Sequence, residues 1–94
     1  MAMVFDEEVG FEGSLLIGWA NEDTKRIRCL AGRETIAELP GFTNATATEI
    51  RNRKTEAFDL LKDRFERKIR RREFDNSAIP TVTVLLRDML QLAH

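Results

Sequence analysis

The sequence predicts an α+β fold in two layers, with a small antiparallel or mixed sheet of three to four strands packed on one long amphipathic helix plus a short helix. Three observations predict it. Residues 14–20 ("SLLIGWA") and 25–31 ("KRIRCLA") are apolar, strand-like stretches joined by the turn-forming "NEDT". Apolar residues recur at three- and four-residue spacing from Phe58 to Ile69. Near the end, residues 81–86 ("TVTVLL") are β-branched and alternate.

Each element follows from local chemistry. Alternation assigns Leu15, Ile17 and Trp19 to the helix-facing side of the first strand, and Ile27 and Cys29 to the same side of the second. Gly18 inside a strand predicts a bulge or the close approach of another element. "GRETIAELPGF" gives a short helical turn with Ile36 and Leu39 on one face, stopped by Pro40 and Gly41. Thr46 and Glu49 have the spacing of a capping box and open the long helix. Lys54 interrupts the apolar pattern, so residues 47–55 are expected to form a separate turn or to fray. Below it Phe58, Leu61, Phe65 and Ile69 form the buried stripe, with Ala57 beside them. "FDNSAIP" ends the helix, the last strand follows, and "RDMLQLAH" adds a final helical turn. The predicted core is Trp19, Ile27, Phe58, Leu61, Phe65 and Ile69.

Composition bounds the function. Ninety-four residues, 43% apolar and 33% charged, fit one folded domain over residues 1–94, with an acidic arm at residues 1–13. The net charge of −1 hides an asymmetry: residues 1–24 carry six acids and no base, residues 25–75 fourteen bases and nine acids, and Arg87 cancels Asp88. No apolar run approaches the roughly 20 residues of a membrane span. The acidic start lacks the basic and apolar regions of a secretory signal. Cys29 is the only cysteine, so no internal disulfide forms. A cytoplasmic location is expected, and "NAT" at residues 44–46 reads as a chance match to a glycosylation acceptor.

The stretch "IRCLAGRETIAELPGF" resembles the bacterial domain of unknown function family 1488: an I-x-C strand end, a short link, an E-x-I-x-x-L helix and then Gly-Phe. In that family a helix follows bearing a phenylalanine and later basic residues, a part that Phe58, Lys62, Phe65 and Ile69 would play. A final strand then ends near an aspartate, as "TVTVLLRDM" does at Asp88. The resemblance spans residues 13–89, with "NATATEIRNRKT" longer than the family's usual connection. It implies a compact α+β fold in a bacterial cytoplasm and carries no established activity, so it transfers no catalytic residue.

The residue inventory argues against catalysis. His94 is the only histidine and the last residue, which leaves out His-based triads and metal sites built on His and Cys. Cys29 alternates with Ile27 and reads as a small core residue, not a nucleophile. Asp6, Glu7 and Glu8 lack calcium-loop spacing and read as solvated acids. Gly32 opens a helix that could meet an anion, but no phosphate-loop pattern accompanies it. No catalytic residue, cofactor or metal is expected.

Binding is the remaining class. On the long helix Glu66–Arg70 and Asp63–Arg67 are favourable i, i+4 pairs, and Asp59 compensates Lys62. Arg64, Lys68, Arg71 and Arg72 remain as an exposed basic stripe, a candidate contact for nucleic acid or another anion. No docking motif or stacking pair accompanies the stripe, so it reads first as the wet side of the helix. The leading expectation comes from the sheet. One helix covers one face, which leaves Leu16, Leu30 and Leu85 on the other as an apolar patch for self-association. In such a homodimer the acidic segment of one copy would lie near the basic helix of the other. The alternative is that "MVF" or "MLQLA" of the same chain folds over that face. The sequence therefore reads as a non-enzymatic interaction or regulatory module that self-associates, with a nucleic-acid-binding accessory protein as the second reading.

Overall fold

The computed structural model describes residues 3–90. Two short strands, β1 (Met3–Phe5) and β2 (Gly10–Glu12), precede the hairpin of β3 (Leu15–Glu22) and β4 (Lys25–Ala31). Asp23, at φ 57°, supplies the positive dihedral that the tight connection between them needs. Three helices follow: α1 (Arg33–Ile36), α2 (Ala47–Asn52) and α3 (Lys54–Arg70). Strand β5 (Thr81–Val84) and helix α4 (Leu86–Leu90) complete the described chain.

The sheet is mixed and has five strands rather than the three to four expected. β4 pairs antiparallel with β3 and parallel with β5, so the helices form the crossover between β4 and β5. β1 and β2 both pair antiparallel with β3, at its two ends. Much of the segment expected as an acidic arm is thus the interrupted edge of the sheet. Met3 and Phe5 face the core from that edge and do not cover the opposite side.

The expected capping box forms but opens a separate short helix, and α3 ends at Arg70, ahead of the "FDNSAIP" expected to stop it. The Thr46 hydroxyl accepts from the Glu49 amide at 3.1 Å, and the Glu49 carboxylate accepts from the Thr46 amide at 3.0 Å. This reciprocal box opens α2. Arg53, at φ −113° and ψ 27°, breaks α2 from α3. Its guanidinium holds the break together: it lies 3.9 Å from the Phe42 ring centroid, donates to the Gly41 carbonyl at 2.8 Å, and forks onto Glu56 at 3.0 and 2.8 Å. α3 ends in a Schellman motif, with the Arg72 amide bonded to the Ile69 carbonyl and the Glu73 amide to the Lys68 carbonyl, each at 3.0 Å. Arg72 itself takes the left-handed position, at φ 59°.

α3 lays Ala57, Phe58, Leu61, Phe65 and Ile69 on the sheet, all buried as its periodicity predicts. Phe58 stacks on Phe65 at 5.2 Å and meets Phe5 edge-on at 5.7 Å between ring centroids. From the sheet come Leu16, Ala20, Ile27, Cys29, Ala31, Val82 and Val84.

The phase of β3 overturns an expectation. β3 turns Leu16, Gly18, Ala20 and Glu22 inward, whereas Leu15 is exposed and Ile17 and Trp19 are half-buried on the outer side. Trp19 is therefore not a core residue, and Leu16, fully buried, is no part of an exposed patch. The reason is steric. The Phe58 ring occupies the space in which a Gly18 side chain would stand, so the inward row of β3 must be the one containing the glycine. β4 keeps its predicted phase, with Ile27 and Cys29 inward.

Candidate interaction face

The outer side of the sheet is built from the residues that the core leaves out. β3 presents Leu15, Ile17, Trp19 and Asn21; β4 presents Arg26, Arg28 and Leu30; β5 presents Thr83. Ile17 stands opposite Leu30 across the hairpin, and Thr83 flanks Leu30 on the other side. Ile17, Trp19 and Leu30 belong neither to the core cluster nor to the partly buried residues packed against it. Val4, paired with Asn21, is 61% exposed at the edge.

A polar brace fixes the centre of this face. The Asp6 amide donates to the Trp19 carbonyl at 2.9 Å, and its carboxylate accepts from Asn21 at 2.7 Å and from Arg26 at 2.9 Å. Held there, the Arg26 guanidinium lies 4.3 Å from the Trp19 ring centroid. Arg28 reaches the other way, to the Thr81 hydroxyl at 3.2 Å and the Ser77 hydroxyl at 3.4 Å. Beside Trp19 a shallow groove of about 290 Å³ runs along the edge strand, with Glu8, Glu12 and Arg26 among its walls. The face thus joins an apolar centre to an edge where acids surround Arg26, with Arg28 across β3 on the other side.

The other residues singled out from the sequence lie elsewhere. Leu30 is half-buried on this face, and Leu85, 39% exposed, follows β5. The basic stripe of α3 does not stand free as expected. Lys68 pairs with Asp88 at 3.0 Å, and their side chains are only 14% and 21% exposed. Asp88 also accepts from the Leu85 amide at 2.7 Å, capping α4. Arg72 pairs with the nearly buried Glu22 at 2.7 Å. That hydrogen bond holds the Glu22 carboxyl below its ordinary pKa. Arg64 is half-buried and donates to the Leu60 carbonyl at 3.5 Å, whereas Arg71 is exposed. Lys68 and Arg72 are structural because their acids come from β3 and α4, which local helix spacing cannot reveal. The expected Glu66–Arg70 and Asp59–Lys62 pairs form, at 2.8 and 2.9 Å, whereas Asp63 and Arg67 do not pair with each other.

Cys29 is sealed in the core, and burial pushes its thiol up to about 12, far from a reactive thiolate. Among the described residues no cluster of three or more metal-ligating side chains occurs. None of their helices is long and apolar enough to cross a membrane. His94 lies outside them.

The fold and this face define a class: a two-layer α+β protein whose long helix covers one side of a mixed sheet and whose other side carries an apolar centre. A solved protein of unknown function from the DUF1488 family, from Shewanella loihica PV-4, shares the fold, with a TM-score of 0.68 over 85% of this chain and 90% of that one at 18% identity. The resemblance read from "IRCLAGRETIAELPGF" therefore extends to the arrangement of the backbone. No protein-family model and no curated protein matches the chain.

Proposed function

We infer that this protein is a non-enzymatic interaction module that self-associates through the outer face of its sheet. The observation that carries this reading is the group Ile17, Trp19 and Leu30, which lies outside the core on a face with Glu8 and Glu12 at the β2 edge and Arg28 across β3 on β4. A two-fold axis would bring Glu8 and Glu12 of one copy toward Arg28 of the second, which adds charge complementarity to the apolar contact. The centre is aromatic and apolar and the rim is charged, as in specific interfaces. The face that part of the sequence proposed for association is retained, with Ile17 and Trp19 taking the place of Leu16. Leu30 is central and Leu85 peripheral. A stable dimer of this kind buries about 800 Å² on each partner.

Sedimentation velocity on the purified protein tests it. The expected result is a dimer at about 50 µM, which requires a Kd in the micromolar range or below. Ile17→Asp and Trp19→Ala, both outside the core, are expected to give folded monomers. A monomer in the unmodified protein, or a dimer indifferent to both changes, overturns the reading.

The nucleic-acid reading has less support, because two cations of its stripe, Lys68 and Arg72, are held by acids of the same chain. Arg64 and Arg71 remain, and binding through them would weaken steeply as salt rises.

A further inference from the structure

A second concavity lies away from the outer face, between the edge of the sheet and the short helices. Its lining includes Phe11 of β2 and Ala47 of α2, backed by Ile36 of α1 and Ile50 of α2, around a pocket of about 190 Å³. Ile36 and Ile50 are buried and anchor this wall in the core, so the apolar surface open to a ligand is that of the half-buried Phe11 and the exposed Ala47. Arg33 and Arg51 stand in the wall above it, and a shallower extension past Phe11 and Gly13 brings in Lys54.

What sets the cations of this cleft apart is the absence of an acid in its lining: Arg67 and Arg71, also without an ion pair among the described residues, share their groove with Asp63 and Glu66. Arg26, Arg53, Lys62, Lys68, Arg70 and Arg72 each pair with a carboxylate within 4 Å. Arg33, Arg51 and Lys54 have no side-chain hydrogen bond or ion pair among the described residues, and no acid lines either part of the cleft. In a chain with 16 acids and 15 bases, a cleft walled by three unpaired cations and no acid is a local excess of positive potential. Side chains that hold an anion in a fixed place are arranged in this way, and an apolar surface adds selectivity for what the anion carries.

We propose that this cleft binds a small amphipathic carboxylate, its apolar body on Phe11 and Ala47 and its carboxylate between Arg33 and Arg51. Both parts are required. The guanidiniums are exposed, and an isolated anion gains little from them against water. The apolar surface is small, so an uncharged body alone gains little as well. The carboxylate has two sources of the same chemistry, a free small acid or the side chain or terminus of a peptide.

The test uses the full chain and amide chemical shifts. Phenylacetate is expected to move the amides of Gly13, Ser14 and Arg51 saturably, while phenylacetamide, the same body without charge, binds at least about tenfold more weakly, a factor equal to one decade of Kd. Inorganic phosphate, charged but without an apolar body, is likewise expected to be at least about tenfold weaker. Arg33→Gln combined with Arg51→Gln reduces phenylacetate binding to the level of the amide. A short peptide ending in Phe with a free carboxylate, compared with its amidated form, separates the two sources: tighter binding of the free-acid peptide than of phenylacetate assigns the cleft to chain termini, and the reverse assigns it to small acids. Absence of any saturable shift with phenylacetate overturns the proposal. So does phenylacetamide or phosphate binding as well as phenylacetate. The comparison of the two phenyl compounds is made on the unmodified protein, so it decides even where the double variant does not fold.

Discussion

The Phe58 ring lies directly on the backbone of Gly18, in the volume that a β-carbon there would fill. This single approach sets how closely α3 lies on the sheet and which row of β3 faces inward.

Gly18→Ala is therefore expected to destabilise the protein by about 1–3 kcal/mol, the usual cost of an overpacked core. The neighbour is a ring stacked on Phe65 and wedged by Phe5, so it has little freedom to move aside. Phe58→Leu removes part of the obstacle. A double-mutant cycle by urea denaturation should show the two changes together costing less than their sum. Additive costs would mean that the ring does not limit position 18.

Phe65→Ala removes a fully buried ring from the centre of the α3 stripe. The expected loss is about 3–5 kcal/mol, against a total of about 5–15 kcal/mol for a typical domain. The denaturant midpoint measures it, and a midpoint that barely moves would contradict the packing of α3 on the sheet.

Glu22 gives a dependence on pH. Its carboxyl is held below the ordinary value of 4.5 mainly by the hydrogen bond from Arg72. A depressed folded pKa means that the stabilisation is present above the unfolded pKa and is lost as pH falls through the folded value. The urea midpoint is thus expected to drop as pH is lowered from 4.5. Glu22→Gln should lower the midpoint at neutral pH and flatten this drop. It does not abolish the drop, because Glu49, bonded by Thr46, and Glu56, bonded by Arg53, are shifted in the same direction. A Glu22→Gln curve parallel to that of the unmodified protein would show that the pair with Arg72 contributes nothing.

Cys29 is expected to be inert in the folded state. Its thiol is buried beneath α3 and raised to about 12, so at pH 8 almost none is thiolate. A thiol reagent should label it only in denaturant or at the rate of unfolding. Rapid labelling of the native protein would place it at the surface.

The sequence by itself determined everything that depends on neighbours within a turn or two. Phe58, Leu61, Phe65 and Ile69 face the sheet because helical spacing puts them on one line. Thr46 and Glu49 close their box because they stand three positions apart. Ile27 and Cys29 point inward because the alternating positions Arg26 and Arg28 are charged, so only one phase of β4 buries its apolar row. β3 has no such contrast. Leu15, Ile17 and Trp19 compete with Leu16, Gly18 and Ala20, both rows are apolar, and alternation admits either phase. The larger row was the natural choice for a core, and it was the wrong one. The signal that could have decided was Gly18: a glycine that admits another element must lie in the inward row, and its parity carries Leu16 in and Trp19 out. The tertiary structure alone decided the rest. Lys68 meets Asp88 and Arg72 meets Glu22 across 20 and 50 residues of sequence. Such partners are chosen by how α3 crosses the sheet, and charges far apart in the chain carry no local mark of whom they will meet.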